Sequence, residues 1–330
     1  MRANLTVGTA TAAPGTRADG VITTGTDALG QAETIPVIVV NGVEDGPILW
    51  VDGCIHGDEP EGPLAIQYLL REIVPETLKG ALICVPVMNV PAFLANNRGN
   101  PLDAFTPDMN RIYPGKPDGF ASERVAAAHA RWLITTADME ISIHSGGRHS
   151  YLAQALFYTD IPAGEALAKA MGPGWDLILR GGIGSSGSPM TVMGGKGKPA
   201  LTVELGGMCA TLPDQFHDTG RTLADAIGNV MRFYRMTAGV AASAGAWSVG
   251  VQRLVLAPAT GLWVAEPGFQ FRTMILAGTP LARIYDLYGR ERAVVVAPCD
   301  GQVFGMHTNP TVIEGEWAVF FGEILETISV

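Results

Sequence analysis

The chain has 330 residues, too many for one typical core, with 22 basic against 32 acidic side chains, and its net charge of −10 excludes a general nucleic-acid binder. Charged residues make up 16% of the chain and mean hydropathy is +0.22, against about 25% charged in an average globular chain, so a large buried core or a homo-oligomer interface is expected. No apolar run reaches the ~18 residues of a membrane span, the first twenty residues lack a signal-like apolar stretch, and Cys54, Cys84, Cys209 and Cys299 show no C-x-x-C spacing, so a cytoplasmic protein with reduced thiols and no membrane partner is expected.

In chain order, residues 1–34 read as an N-terminal β extension. From about 35 to 240, apolar runs of strand length alternate with helix-like segments. Strands are predicted at Ile35–Val40, Ile48–Asp52, Leu82–Val87, Met139–His144, Asp176–Leu179 and Leu201–Glu204. Helices are predicted at Pro60–Ile73, Phe120–Ile134, Pro162–Met171 and Gln215–Met236. This alternation implies an α/β fold, a mostly parallel or mixed sheet flanked by helices. Thr237–Gly250 is rich in Ala, Gly and Ser and reads as a linker. Beyond it, short strand-like pieces punctuated by Gly and Pro read as a small all-β domain over 241–330. Ala257–Val264 resembles Ala297–Phe304, an internal repeat. The expected organisation is therefore a domain over 1–240 that carries the chemistry and a C-terminal β domain.

The motifs cluster at strand ends. Gly53-Cys54-Ile55-His56-Gly57-Asp58-Glu59 sets a histidine and a carboxylate three residues apart on a turn leaving a buried strand, where both can converge on a cation. His144 ends another apolar run and is the candidate third ligand. A catalytic zinc ion takes three N/O protein ligands and keeps a fourth position for water. Pro86-Val87-Met88-Asn89 leads into a polar loop with Arg98, and the loop ends in Asp108-Met109-Asn110-Arg111-Ile112-Tyr113-Pro114-Gly115. Glu204 ends a buried strand, where an unpaired charge is costly. Each residue has a plainer reading: His144 as a hydrogen-bonded core histidine, Glu59 as a helix N-terminal charge like Asp58 and Glu61, Arg111 as a structural ion-pair partner. His129, His217 and His307 read as surface or structural, and His149 as either pocket-lining or exposed.

Together, His56-x-x-Glu59, Asp108-x-Asn110-Arg111, His144 and Thr-x-Glu204 follow the order used by zinc carboxypeptidases. The Pro-x-x-Asn and Asn-Arg-x-Tyr-Pro-Gly wording resembles their non-peptidase relatives, the succinylglutamate desuccinylase/aspartoacylase family, over roughly residues 35–240. The resemblance implies a carboxypeptidase-like fold and a single Zn²⁺ held by His56, Glu59 and His144. Asp108 would orient His56, Arg98 (or Arg148 in its place) would polarise the scissile carbonyl, and Asn110 and Arg111 would hold a substrate carboxylate. Glu204 would be the general base. The implied reaction is amide hydrolysis of a small N-acyl amino acid or related carboxylate. The alternatives are a zinc carboxypeptidase, an esterase, or a binding relative without activity. Trp263, Phe269, Phe271 and Tyr285 are expected to wall the cleft.

Other signals carry less. Gly182-x-Gly184-x-x-Gly187 matches a dinucleotide fingerprint, but Ser188-Pro189 and a non-helical-looking stretch follow it, so it reads as a loop near the site. Gly194-Gly195-Lys196-Gly197-Lys198 lacks P-loop spacing, and no G-x-S-x-G elbow occurs. No lysine lies in 241–330, which excludes a lipoylated or biotinylated carrier.

Overall fold

The computed structural model describes residues 2–27, 29–106, 108–181, 186–208 and 212–329. The first half runs β1 (Leu5–Val7), β2 (Ala10–Ala12), β3 (Thr16–Thr26), β4 (Ala32–Asn41), β5 (Glu44–Gly53), α1 (Glu61–Glu72), β6 (Lys79–Val85), α2 (Val90–Leu94), α3 (Ala121–Thr136) and β7 (Met139–His144). It continues with β8 (Ser150–Tyr158), α4 (Pro162–Lys169), β9 (Leu177–Arg180), α5 (Pro189–Gly194), β10 (Ala200–Gly207), α6 (Pro213–Phe233) and β11 (Ala246–Leu256). The rest is strand: β12 (Gly261–Ala265), β13 (Met274–Ile275), β14 (Pro280–Tyr285), β15 (Glu291–Val296), β16 (Gly301–His307), β17 (Thr311–Val312) and β18 (Trp317–Ser329).

A mixed twelve-stranded sheet in the order β13-β16-β18-β11-β9-β8-β10-β7-β5-β6-β4-β3 organises the molecule. Its centre, β10-β7-β5-β6, is parallel, while β8 runs antiparallel to β10 and β4 antiparallel to β6. All six residues of β7 are buried, so the alternation of Met139, Ile141 and Ile143 with Glu140, Ser142 and His144 places polar side chains inside the protein. On one face α1 contributes Ala65, Ile66 and Leu69 and α6 contributes Leu223, Ile227 and Val230, each a helical stripe closing over the sheet. On the other, Ala126, Ala130 and Leu133 of α3 pack with Trp50 and Ile83.

The C-terminal strands are not a separate sheet. β11 pairs with β9 and β18, and β16 pairs with both β18 and β8. Strands β8, β9, β11, β18 and β16 therefore close into a ring. Gly305 lies opposite Leu152 at this closure and leaves room for its side chain: a Cβ there would sit 2.0 Å from the leucine Cδ2. Four of the C-terminal strands, β12, β14, β15 and β17, form their own antiparallel sheet. Of the two similar C-terminal segments, the first gives the β12–β14 pair in the small sheet and the second the β16–β18 pair in the large one.

Several local expectations change. Ala246–Gly250, read as linker, is the start of β11, because its residues continue the ladder to β18. The stretch after Ser188 is helical: Ser188 Oγ accepts from Thr191 N and Pro189 occupies the first turn of α5. Helix α2 and strand β8 were not foreseen. Residues 182–185, which hold two glycines of the fingerprint-like motif, and Cys209 lie outside the described residues. Among the described residues, Cys54, Cys84 and Cys299 are free thiols, and no helix is long and apolar enough to cross a membrane.

Candidate active site

Three adjacent parallel strands deliver the site. In register, Gly53 of β5 sits beside Ile143 of β7, and His144 beside Glu204 of β10, so what leaves their carboxyl ends meets. The turn after β5 is held from the next segment: Met88 N donates to Gly53 O and Asn89 N to Cys54 O, both at 3.0 Å. Asn89 also caps α2, accepting from Ala92 N at 3.4 Å. Gly57 is packed against α2 so closely that a Cβ would lie 2.0 Å from the Ala92 carbonyl carbon.

Glu59 then reaches both histidines. Its Oε1 lies 2.7 Å from His56 Nδ1 and its Oε2 3.0 Å from His144 Nδ1. All three side chains are buried, and their ligand atoms lie within 4.8 Å of one another. His56 Nε2 lies 3.1 Å from Asp108 Oδ1. Asp108 Oδ1 also accepts from Asn110 N at 2.9 Å, which starts the 3-10 turn Met109–Arg111. Arg98 Nη2 donates to Asp108 Oδ2 at 3.0 Å, with its Nη1 3.6 Å from Glu59 Oε1. Arg111 Nη2 stands 3.8 Å from the same Asp108 oxygen.

Electrostatics follow from that packing. Burial opposes charge on Glu59, yet the two imidazoles outweigh it and hold the carboxyl well below the usual range. Burial and Arg98 disfavour a charged His56, but Glu59 and Asp108 prevail and raise it. Asp108 is depressed, because His56, Arg98 and Arg111 outweigh its burial. Glu204 goes the other way: burial, then the Glu59 charge, pushes it well above an ordinary carboxyl, against the pull of Arg98 and Arg111. Among the described residues, neither Glu204 Oε2 nor Asn110 Oδ1 has a hydrogen-bond partner.

This donor set fits a metal ion. If His56 Nε2 donates to Asp108, a neutral ring presents the Nδ1 lone pair to a carboxylate oxygen at 2.7 Å. Two acceptors at that distance need a positive charge between them, either a proton or a cation. Two imidazole nitrogens and a carboxylate oxygen suit borderline divalent ions.

Over residues 45–230 the chain matches the succinylglutamate desuccinylase/aspartoacylase catalytic domain. It belongs to that family. Family members are deacylases, and a curated relative is the N-alpha-acetyl-L-2,4-diaminobutyric acid deacetylase of Halomonas elongata. The two are 42% identical over 117 residues, which is 36% of this chain and 33% of that protein. The matched stretch thus spans about a third of the relative's length. Solved structures share the architecture of this deacylase family member along almost the whole chain. The product-bound ectoine utilization protein EutE (DoeB) from Ruegeria pomeroyi superposes with a TM-score of 0.80 at 24% identity, over 93% of this chain and 94% of that one. The succinylglutamate desuccinylase/aspartoacylase from Rhodobacter sphaeroides gives 0.79 at 24%, over 94% and 96%.

His56, Glu59, Arg98, Asp108, Asn110, Arg111, His144 and Glu204 all line one cavity of about 470 Å³. Arg148 is not among its lining residues; its Nη1 donates to Asn96 O. Asp58 and Glu61 do more than face a helix dipole. Asp58 accepts from Arg148 N, and Glu61 binds Ser145 Oγ and Gly207 N. His129 is buried and structural, whereas His149 and His307 reach the cavity. The aromatic wall is not the expected one. Trp263 sits in the C-terminal core with Phe269 and Phe271 against it, and neither they nor Tyr285 lines the cavity. Phe157, Phe304, Trp317 and Phe320 do. They belong to β8, β16 and β18.

Proposed function

We propose that this chain is a zinc-dependent deacylase that hydrolyses the amide bond of a small N-acyl amino acid. The observation that carries this is the convergence of two histidines and Glu59 beside an unpartnered Glu204 oxygen, within one small cavity. The Halomonas elongata relative, by its name, removes acetyl from an N-acyl amino acid, which supports the substrate class. Residues 1–240 form the unit that carries the reacting groups, and residues 241–330 complete the pocket.

His56 Nδ1, Glu59 and His144 Nδ1 would hold the zinc ion, with Asp108 fixing the His56 tautomer. When bound, zinc supplies Lewis acidity, acidifying water and polarising the substrate carbonyl. Glu204 accepts the proton of the attacking water and later gives it to the leaving amine nitrogen. Its Oε2, without a hydrogen-bond partner among the described residues, is free to take and return a proton. Arg98 keeps its charge beside Asp108 and Glu59 and faces the carbonyl oxygen as negative charge builds there. Asn110 and Arg111 receive the substrate carboxylate, Arg111 by a two-pronged contact.

Elemental analysis of protein purified without chelators should find one zinc per chain, and a panel of N-acyl amino acids should be cleaved. His56→Ala should lose both metal and turnover. Metal-free wild-type protein, together with an unaffected His56→Ala variant, would overturn the assignment.

A further inference from the structure

The cavity has two unlike poles. Away from His56 and His144 the wall carries an apolar run, Leu152 and Phe157 of β8, Met190 of α5, Phe304 of β16, and Trp317 and Phe320 of β18, beside the uncharged amide of Gln252. The rings form a continuous run, with centroids 5.9 Å apart for Phe157–Phe304, 6.1 Å for Phe304–Phe320 and 5.7 Å for Phe320–Trp317. It begins in the buried sheet and ends at Trp317, which is 40% exposed at the rim.

No strong cation serves this pole. Among the described residues the lining arginines are Arg98 and Arg111, both drawn to Asp108 at the other end, and no lysine lines the cavity. The residues outside the described set include no lysine or arginine either. His307 donates Nε2 to Thr311 O, and His149 Nδ1 pairs with Asn309. Asp58, Glu59, Asp108, Glu204 and Glu316 leave the lining with more carboxylates than arginines. A second substrate carboxylate would lose its hydration against aromatic rings with no cationic partner, which is unfavourable. An ammonium group would find one carboxylate at this pole, that of Glu316. Glu316 is exposed at the rim, with Oε2 accepting from Ile313 N at 2.9 Å, and exposed ion pairs contribute little.

We propose that the substrate carries a single carboxylate, held at Arg111, and that its other limb is uncharged and apolar, lying along the Phe157–Phe304–Phe320–Trp317 wall. This rests on the deacylase reading. It departs from substrates such as succinylated or aspartyl compounds, which carry a carboxylate on the second limb as well. The apolar limb is either the acyl group or the amino-acid side chain, and the two arms of one experiment separate them.

The purified zinc-containing full chain would be assayed on N-acetyl-, N-butyryl-, N-hexanoyl- and N-succinylglycine, and on the N-acetyl derivatives of leucine, phenylalanine, aspartate and lysine. In whichever arm follows the wall, kcat/KM should rise about threefold per added methylene. The succinyl and aspartyl members should fall at least ~100-fold below their apolar counterparts. Trp317→Ala should flatten the chain-length gain, and Trp317→Arg should raise the succinyl or aspartyl substrate at least ~10-fold relative to the apolar one. Preference of the wild type for a dicarboxylic or lysyl substrate, or a flat series in both arms, would overturn the proposal. If nothing in the panel is cleaved, the deacylase reading fails, and calorimetry still decides the wall. Hexanoylglycine binding at least ~10-fold tighter than succinylglycine supports it, and the reverse order refutes it.

Discussion

Glu59 faces His56 with one oxygen and His144 with the other, whereas Glu204 keeps one oxygen unpartnered in the same cavity, and the two carboxylates should answer differently to mutation. Glu204→Gln should keep zinc and fold but lower kcat at least ~100-fold; loss of zinc in that variant would make Glu204 a ligand. Arg111→Ala should depress kcat/KM at least ~100-fold for a free-acid substrate and little for its neutral amide, because only the acid leaves its charge unmet; equal losses would make Arg111 structural. Glu61, with Ser145 Oγ at 2.7 Å and Gly207 N at 2.9 Å, is pushed by burial from an ordinary 4.5 up to about 7. Folded Glu61 therefore binds its proton more tightly than the unfolded chain does. That stabilisation is complete below pH 4.5 and lost as pH rises through about 7. Urea midpoints of metal-free protein should fall across this window, and Glu61→Gln should flatten the fall; parallel profiles would exclude Glu61. The residues around the histidines were legible in sequence because each sits at a strand end or in a motif with fixed spacing. The aromatic wall was not. Phe304, fully buried, and Phe320, 8% exposed, look like core residues until one knows which strands enclose the cavity.

At the scale of elements, one buried polar chain ties two of them, β5 and α3, to the loop that carries Asp108 and Arg111. Trp50 Nε1 of β5 donates to His129 Nε2 of α3 at 3.1 Å, so His129 Nδ1 is the protonated nitrogen facing Tyr113 Oη at 3.1 Å. Tyr113 in turn donates to Met88 Sδ. Beside them Glu140 of β7 is raised well above an ordinary carboxyl, by burial and then by the Asp52 charge, so this corner holds a neutral acid rather than two charges. Tyr113→Phe would leave the His129 N–H buried and unpaired, at a cost of about 1–3 kcal/mol. Chemical denaturation should show that loss with zinc content unchanged; an unchanged midpoint would mean another group takes the proton. Sequence periodicity located β5, β7, β10 and the four long helices to within a few residues, since each buries a regular stripe. It missed α5, where Pro189, the β-branched Thr191 and Val192 and the glycines that follow mask a six-residue helix set by the Ser188 cap, and it missed β8, which is mostly buried and shows no clean period-two alternation.

For the whole molecule, the boundary near residue 240 is visible in composition but not in hydrogen bonding. Cutting the chain there would strip β9 of β11 and β8 of β16, leaving unpaired edges of the large sheet in water. A fragment of residues 1–240 should therefore aggregate or show a broad, early thermal transition, whereas a sharp wild-type-like melt would mean the C-terminal strands are dispensable for folding. The ring formed by β8, β9, β11, β18 and β16 has a consequence for how the pocket works. Its apolar side is cut mainly from strands hydrogen-bonded into a closed circuit, so it is expected to behave as a die rather than a jaw. Selection among limbs is made by a shape already in place before encounter. Ligands should leave the radius of gyration unchanged, and the backbone amides of β8 and β16 should exchange with deuterium together, at one common opening rate, whether or not the cavity is filled.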